Sequence, residues 1–268
     1  MRTCPATTLP ARLASAAVLA MGVPLSTTFA SESSDDYHYE FTPYFWAAGL
    51  EGDMRIQDRP TEGAEVEQSF SDIWRNLEAA FMGSFEVRRG NWGLMLDAIY
   101  FQVEESGNIL EVKGVARVGG KAEVTQEQYA AAVTYRFTES PQTLDVVGGL
   151  RYNAVSWDVS IDGDASLPIG GQIDRDFDHG EDWFLPYLGA RIIAPVHPRW
   201  TLTGYADMGG FDPGSNMSWQ LLIGANYAIN DRFIAKLGYR HIDNDYKDSD
   251  FEYDMTNAGP YLGIGIHW

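Results

Sequence analysis

The last ten residues, GPYLGIGIHW, alternate between large apolar side chains and small or polar ones. Leu262, Ile264, Ile266 and Trp268 occupy every second position, with no charged residue among them. A period of two puts successive side chains on opposite faces of a strand. An apolar face backed by a small or polar face is typical of a sheet between lipid and a wet interior. The ending therefore predicts a closed transmembrane β-barrel, with these four residues as its C-terminal assembly signal.

Residues 1–30 have the features of a secretory signal peptide. Arg2 and Arg12 supply positive charge, residues 13–23 are mostly apolar, and small residues precede an expected cleavage after Ala30. The apolar run is too short for a transmembrane helix. The leader predicts export across the inner membrane.

Removal of this leader changes the composition of the mature chain. Cys4, the only cysteine, leaves with it, so thiol nucleophiles, cysteine metal sites and disulfides are excluded. The remaining 17 basic and 38 acidic residues give a formal charge of −21, which argues against nucleic acid as a partner. We expect residues 31–37 to be a flexible lead-in and residues 38–268 to be the barrel domain.

Short and long connections alternate along the chain. The short ones are Arg89-Gly90-Asn91, 139–142, His197-Pro198-Arg199 and Asn230-Asp231. The long ones are about 52–76, 105–122, 162–182, 210–216 and 246–252. Outer-membrane barrels have an even strand number, short periplasmic turns and longer outer loops. Nine connections predict about ten antiparallel strands, with eight or twelve as alternatives, and both termini periplasmic.

The cost of placing charge in lipid predicts which way each strand faces. An Arg or Lys on the lipid side near the membrane centre costs about 2–4 kcal/mol. Arg151, Arg191, Lys236 and Arg240 should therefore point inwards, which agrees with the outward phase of their apolar neighbours. Trp92, Trp200 and Trp268 lie beside short turns or the C-terminus and predict an aromatic belt there. Tyr100, Tyr152 and Trp219 predict the opposite belt.

Several stretches resemble a large and mostly uncharacterised family of proteobacterial outer-membrane β-barrel proteins. They are residues 41–53 (FTPYFWAAGLEGD), 70–100, 144–152 (LDVVGGLRY), 237–246 (LGYRHIDNDY) and the aromatic ending. The resemblance covers nearly the whole mature chain and implies the fold and the outer membrane of a Gram-negative bacterium. It implies no catalytic residues.

The inward positions form the first candidate site. Its charged residues are Glu40, Glu86, Asp97, Asp145, Asp207, Arg88, Arg136, Arg151, Arg191, Lys236 and Arg240. Five acids and six bases on converging strands should pair into a network, because a barrel this narrow brings facing side chains together. Two interpretations remain open: a small polar pore with charged walls, or a polar core that fills the lumen.

Acidic loops form the second candidate site, a possible calcium or magnesium site. Its residues are Asp176, Asp178, Glu181, Asp248 and Asp250, whose spacing does not match an EF-hand. Solvated acidic loops are the alternative interpretation.

A third candidate is a catalytic rim site like that of the omptin proteases, formed by His241, Asp243 and Asp245. A separate local expectation concerns residues 69–77 (SFSDIWRNL), which form either a helical turn tucked into the barrel mouth or a plain loop.

These features predict a monomeric, non-enzymatic barrel of the outer membrane. It is either a narrow passive channel or a structural or surface-interaction protein, with an omptin-like hydrolase as the alternative. We expect outer-membrane lipid and lipopolysaccharide as partners, together with the barrel-assembly machinery through the C-terminal strand, and no cofactor.

Overall fold

Extended strands make up almost all of the part of the chain that the structure describes, as the alternating pattern predicts. The computed structural model describes residues 36–56, 64–112, 116–138, 142–165, 171–212, 216–247 and 251–268. The predicted signal peptide and most of the lead-in lie outside these residues. The elements are β1 (Tyr37–Trp46), β2 (Gly49–Ile56), β3 (Ala64–Gln68), α1 (Phe70–Arg75), β4 (Leu77–Arg89), β5 (Trp92–Val112), β6 (Ala116–Thr138), β7 (Thr143–Ala165), β8 (Gly171–His197), β9 (Trp200–Asp212), β10 (Asn216–Ala228), β11 (Phe233–Lys247) and β12 (Phe251–His267).

Ten antiparallel strands close into a ring, which confirms the predicted fold. The ring runs β1-β4-β5-β6-β7-β8-β9-β10-β11-β12, and β12 pairs back with β1 from Glu40↔His267 to Trp46↔Tyr261. The strands β2 and β3 lie outside the ring, with β2 paired to the upper part of β12. Both described ends of the chain therefore lie at the end of the barrel that carries the short turns, the short-turn end.

The described residues of two predicted long loops form strands instead. The β5–β6 pairing continues to Val112↔Ala116, and the β7–β8 pairing continues to Ala165↔Gly171. The loop prediction for 105–122 and 162–182 was wrong because polar residues occupy both faces there. In water neither face of a hairpin has to be apolar, so the usual sequence sign of a strand is missing. These two tall hairpins define the hairpin end of the barrel.

The two faces of each strand separate as predicted. On β10, Leu221 and Ile223 are exposed on the outside, whereas Ser218, Gln220 and Gly224 are buried inside. On β12, Leu262, Ile264, Ile266 and Trp268 face outwards, and Gly263, Gly265 and His267 between them face the lumen. The exterior therefore carries a continuous apolar band that suits the hydrocarbon core of a membrane.

Aromatic rings border this band at both ends. Near the short turns, Trp92 packs against Tyr135 and Trp200 against Tyr227, with ring centroids 4.8 and 4.9 Å apart. Towards the hairpin end lies a second set that includes Tyr152. Such rings have an apolar body and a polar edge, which suits them to the membrane interface.

The helical turn predicted near residue 70 forms, but on the outside of the barrel. Ser69 caps α1 in a capping box with Asp72. Trp74 packs against Phe45 and Phe70 on the outer wall instead of in the barrel mouth, because Phe45 lies on the outward face of β1. No helix among the described residues is long and apolar enough to cross a membrane.

The cost of a charge on the exterior should depend on its depth in the band. We expect Ile223→Arg, at the middle of β10, to lower the free energy of unfolding by about 2–4 kcal/mol. Ile229→Arg, beside a short turn, should cost about 0–1 kcal/mol because its guanidinium reaches water. Urea unfolding in phospholipid vesicles measures both. Equal losses at the two positions would contradict the assignment of this face to hydrocarbon.

Candidate functional site

Charged side chains on β4, β6, β7 and β8 converge inside the barrel near the short-turn end. Arg191 contacts Glu86 and Asp145 at 2.6 and 2.7 Å. Arg88 contacts the same two carboxylates at 2.8 and 3.1 Å, and Arg136 contacts Asp145 at 2.9 Å. Asp145 is completely inaccessible to solvent, so its charge depends on these three guanidinium groups.

A second group lies at the same end, beside the seam where β12 meets β1. Glu40 forms an ion pair with Lys236, and Nε2 of His267 lies 2.6 Å from the Glu40 carboxylate. The hydroxyl of Thr42 also donates to Glu40, at 3.0 Å. Polar contacts therefore tie β1, β11 and β12 together from inside.

Arg151 forms the centre of a third group on β7, β9 and β10. Its Nη2 donates to both carboxylate oxygens of Asp207, at 2.8 and 2.9 Å, and its Nη1 donates to Ser218 Oγ at 3.0 Å. The guanidinium lies 4.8 Å from the centroid of the Tyr187 ring. Only 2 % of Arg151 is exposed, so this pair is buried.

Arg240 forms the fourth group at a similar depth on the facing strands. It donates to Asp97, Gln220 and Tyr44 Oη at 3.0, 2.9 and 2.8 Å. Tyr44 in turn donates to Asp97 at 3.0 Å. Trp46 stacks on the guanidinium at 5.3 Å. The structure thus places all the predicted lumen residues inside and joins them through partners on the same strand, on neighbouring strands and across the lumen.

Apolar side chains occupy the lumen further along the same strands, towards the hairpin end. One buried cluster contains Trp46, Ile99, Ile242 and Tyr261. Another contains Val155, Trp183, Leu185, Tyr253 and Met255. Inside this second cluster, the ring of Trp183 stacks on that of Tyr246 at 4.4 Å. The sequence analysis expected a polar lumen throughout and missed these layers.

The charged groups surround one cavity of about 530 Å³. It extends from His38, Arg136 and His267 near the short turns to Arg151 and Arg240 inside the barrel. Beyond that depth, the side chains of the apolar clusters fill the lumen. Apolar side chains such as Met95, Ile193 and Leu222 lie between the charged groups in its wall, so the cavity has a mixed lining and an apolar floor.

The residues of the predicted catalytic rim face outwards. Arg240 and Ile242 are buried in the lumen, so strand alternation puts His241 and Asp243 on the outer wall. The ring of His241 stacks on Trp219 at 4.5 Å. Asp245 follows on the same outward face of β11. The structure does not bring the three residues into the barrel mouth, where a substrate cleft was expected.

The predicted metal residues are only partly described. The side chains of Asp176, Asp178, Asp248 and Asp250 lie outside the described part of the chain, and Glu181 is half-buried.

The described residues include another acidic group, which the sequence analysis missed. The carboxylates of Glu78, Glu104 and Glu123 lie within 4.8 Å of one another on the outer wall. A hydrogen bond to Glu104 and the negative charge of Glu104 raise the pKa of Glu78. Lys121 already contacts Glu104 at 2.9 Å and Glu123 at 3.6 Å, so these carboxylates have an internal counter-ion.

Comparison with known proteins finds likeness in structure. No protein-family model and no curated protein sequence match the chain. The outer-membrane protease OmpT of Escherichia coli matches with a TM-score of 0.57 at 8% identity, over 89% of this chain and 99% of OmpT. The shared feature is the barrel. The translocator domain of the autotransporter NalP from Neisseria meningitidis matches with a TM-score of 0.38 at 14% identity, over 86% and 87% of the two chains.

The buried Arg151–Asp207 pair offers a test of the lumen energetics. Arg151→Leu alone should lower the free energy of unfolding by about 3–5 kcal/mol, because it leaves the Asp207 carboxylate without its partner. Adding Asp207→Leu should restore much of this loss, since no unpaired charge remains. Urea unfolding of the double variant and of both single variants, Arg151→Leu and Asp207→Leu, measures the difference. A double variant that loses the sum of the two single losses would show that the pair is not coupled.

Proposed function

We propose that this chain is an integral outer-membrane barrel that is closed to solutes and functions through the surface presented by its tall hairpins. It performs no catalysis. In this proposal the short turns and both termini lie in the periplasm, and the hairpin end faces the outside of the cell.

Insertion in a membrane is supported by the chemistry of the exterior. Large apolar residues are exposed around the ring, among them Phe184, Leu188, Ile223, Leu237 and Leu262, each 58 to 61 % exposed. A soluble monomer rarely exposes a continuous apolar belt of this kind. Hydrocarbon also requires a closed sheet, since unpaired backbone groups have no water there.

The filled lumen carries the proposal of a closed barrel. A path wide enough for water would leave its walls accessible to solvent. Instead, beyond the cavity Ile242 and Met255 are 1 % exposed, Trp46 is 4 % exposed and Trp183 is 5 % exposed. These residues lie at successive depths on strands around the ring. The sequence left two interpretations open, a pore and a core that fills the lumen. This burial supports the filled core over a permanently open pore.

The height of the hairpins supports a role at the surface. On the paired strands β5–β6 and β7–β8, regular hydrogen bonding continues well beyond the apolar band, to Val112↔Ala116 and Ala165↔Gly171. A barrel that served only as a membrane plug would not need them. Ordered strands outside the membrane present a fixed surface, which reduces the entropy cost of binding a partner.

Assembly and environment complete the proposal. The barrel-assembly machinery would recognise the C-terminal strand β12 through its outward residues Leu262, Ile264, Ile266 and Trp268. The barrel is a monomer, and outer-membrane lipid and lipopolysaccharide surround it. The exposed apolar residues of β12 and its aromatic terminus are compatible with both roles.

The proposal of a closed barrel predicts electrical silence. We expect the purified protein in planar bilayers to give no stepwise conductance, because apolar side chains fill the lumen. A variant with Trp46→Ala, Ile242→Ala, Trp183→Ala and Tyr253→Ala should conduct, since it removes large rings from two successive layers. Protease protection of the barrel in the same membranes verifies insertion.

Two outcomes would count against this proposal. Steady conductance of the unmodified protein would establish an open lumen and favour the passive channel. Recovery of the mature protein from the soluble periplasmic fraction of cells would remove the membrane assignment altogether.

A further inference from the structure

On one side of the barrel, the pairing between two neighbouring strands ends where the wall leaves the apolar band. The ladder between β8 and β9 ends at Tyr187↔Gly209. The next residue of β9, Gly210, has a φ of +76°, a left-handed conformation that glycine adopts readily. The backbone of β9 therefore turns away from β8 at this height.

The strand β8 continues far beyond that point with β7 beside it. Its ladder with β7 runs without a register shift from Leu185↔Arg151 to Gly171↔Ala165. On its other side, Pro186 precedes the first residue that pairs with β9. Among the residues that the structure describes, those from Gly171 to Pro186 form a ladder only with β7, and they thus make an edge strand about 50 Å long at roughly 3.3 Å per residue.

The base of this edge is held rigidly from inside the barrel. Trp183 and Leu185 are 5 % and 4 % exposed and pack against Tyr253 and Met255 of β12. The edge is therefore anchored on the opposite wall, and little conformational freedom remains to be lost on binding.

The charge of the hairpin narrows the choice of partner. Between Ser156 and Leu185 the sequence contains eight acidic residues and one arginine. An edge strand of a second copy would carry the same negative charge, and like charges on facing strands are unfavourable. A basic strand is complementary.

We infer that the edge of β8 binds an extended, basic polypeptide segment as an added strand. Main-chain hydrogen bonds to the edge would provide affinity, and the acidic residues would select cationic side chains. This inference rests on the proposed function, because the hairpin must be exposed outside the membrane.

A designed peptide tests the inference on the full mature protein. The protein is reconstituted in neutral phosphatidylcholine vesicles, which removes lipid charge. The probe is a fluorescent peptide about twelve residues long that alternates lysine and valine. Two control peptides replace lysine by glutamate, or carry a methyl group on every amide nitrogen. The methylated peptide retains its charge but donates no backbone hydrogen bonds.

We expect the lysine peptide to bind, with the glutamate peptide and the methylated peptide each weaker by about tenfold or more. Isotope-edited infrared spectra should place its labelled carbonyls in an antiparallel sheet. Asp178→Asn with Asp182→Asn on β8 should weaken binding by a similar factor. The matched pair Glu105→Gln with Glu111→Gln, on the other tall hairpin, should leave it unchanged.

Each remaining outcome overturns the inference. Equal binding of the methylated and unmethylated peptides would reduce the interaction to charge alone. Equal weakening of peptide binding by both pairs of substitutions would show that the binding site is not on β8. Absence of binding to a protein that is inserted and protease-protected would reject the inference while leaving the closed membrane barrel intact, so the two proposals fail separately.

Discussion

Hydrogen bonding between β1 and β12 is the constraint on which the rest of the structure depends. Backbone N–H and C=O groups in hydrocarbon have no water to bind, so a sheet in a membrane cannot keep an open edge. The pairing from Glu40↔His267 to Trp46↔Tyr261 closes the first strand onto the last. Once the ring is closed, every strand has one face towards the outside and one towards the lumen, and the position of each side chain follows from its place in the alternation.

Closure of the ring also explains why the lumen contains paired arginine and carboxylate side chains. Ten strands leave a narrow interior, and long guanidinium groups from one wall reach carboxylates on another. Arg191 joins Glu86 to Asp145, and Arg151 on β7 reaches Asp207 on β9 past the intervening β8. Buried ion pairs add little net stability in general, but the removal of one partner at a time is costly. They act as positioning contacts that hold distant strands in register.

The same constraint relaxes where the wall enters water. Solvent can satisfy backbone groups there, so the ring no longer has to be complete. The strand β9 separates from β8 beyond Gly209, while β5–β6 and β7–β8 continue as tall hairpins. Packing of Trp183 on Tyr246 and Tyr253 then holds opposite walls together from inside. The wall is therefore closed within the apolar band, where backbone groups have no water, and it is open between β8 and β9 beyond the band, where water can bind them.

Sequence patterns predicted the parts of this protein that depend on local alternation. Strand number and antiparallel order follow from the alternation of short and long connections, and the outward phase of Leu221, Ile223 and Leu262 follows from a period of two and from the cost of charge in lipid. The tall hairpins were mistaken for loops because polar residues on both faces carry no period. The helix around Trp74 was placed in the mouth because an amphipathic turn does not reveal which side of a wall it covers.

The sequence by itself determined that a closed cylinder forms, which residues face lipid and which charged groups lie inside. Those properties follow from each residue and its immediate neighbours. Only the tertiary structure decided that the charges pair as they do, that Trp46 and Trp183 fill the lumen, and that His241 faces outwards. The reason is that strand stagger around the ring sets which side chains meet across the interior, and stagger depends on contacts between residues far apart in the chain.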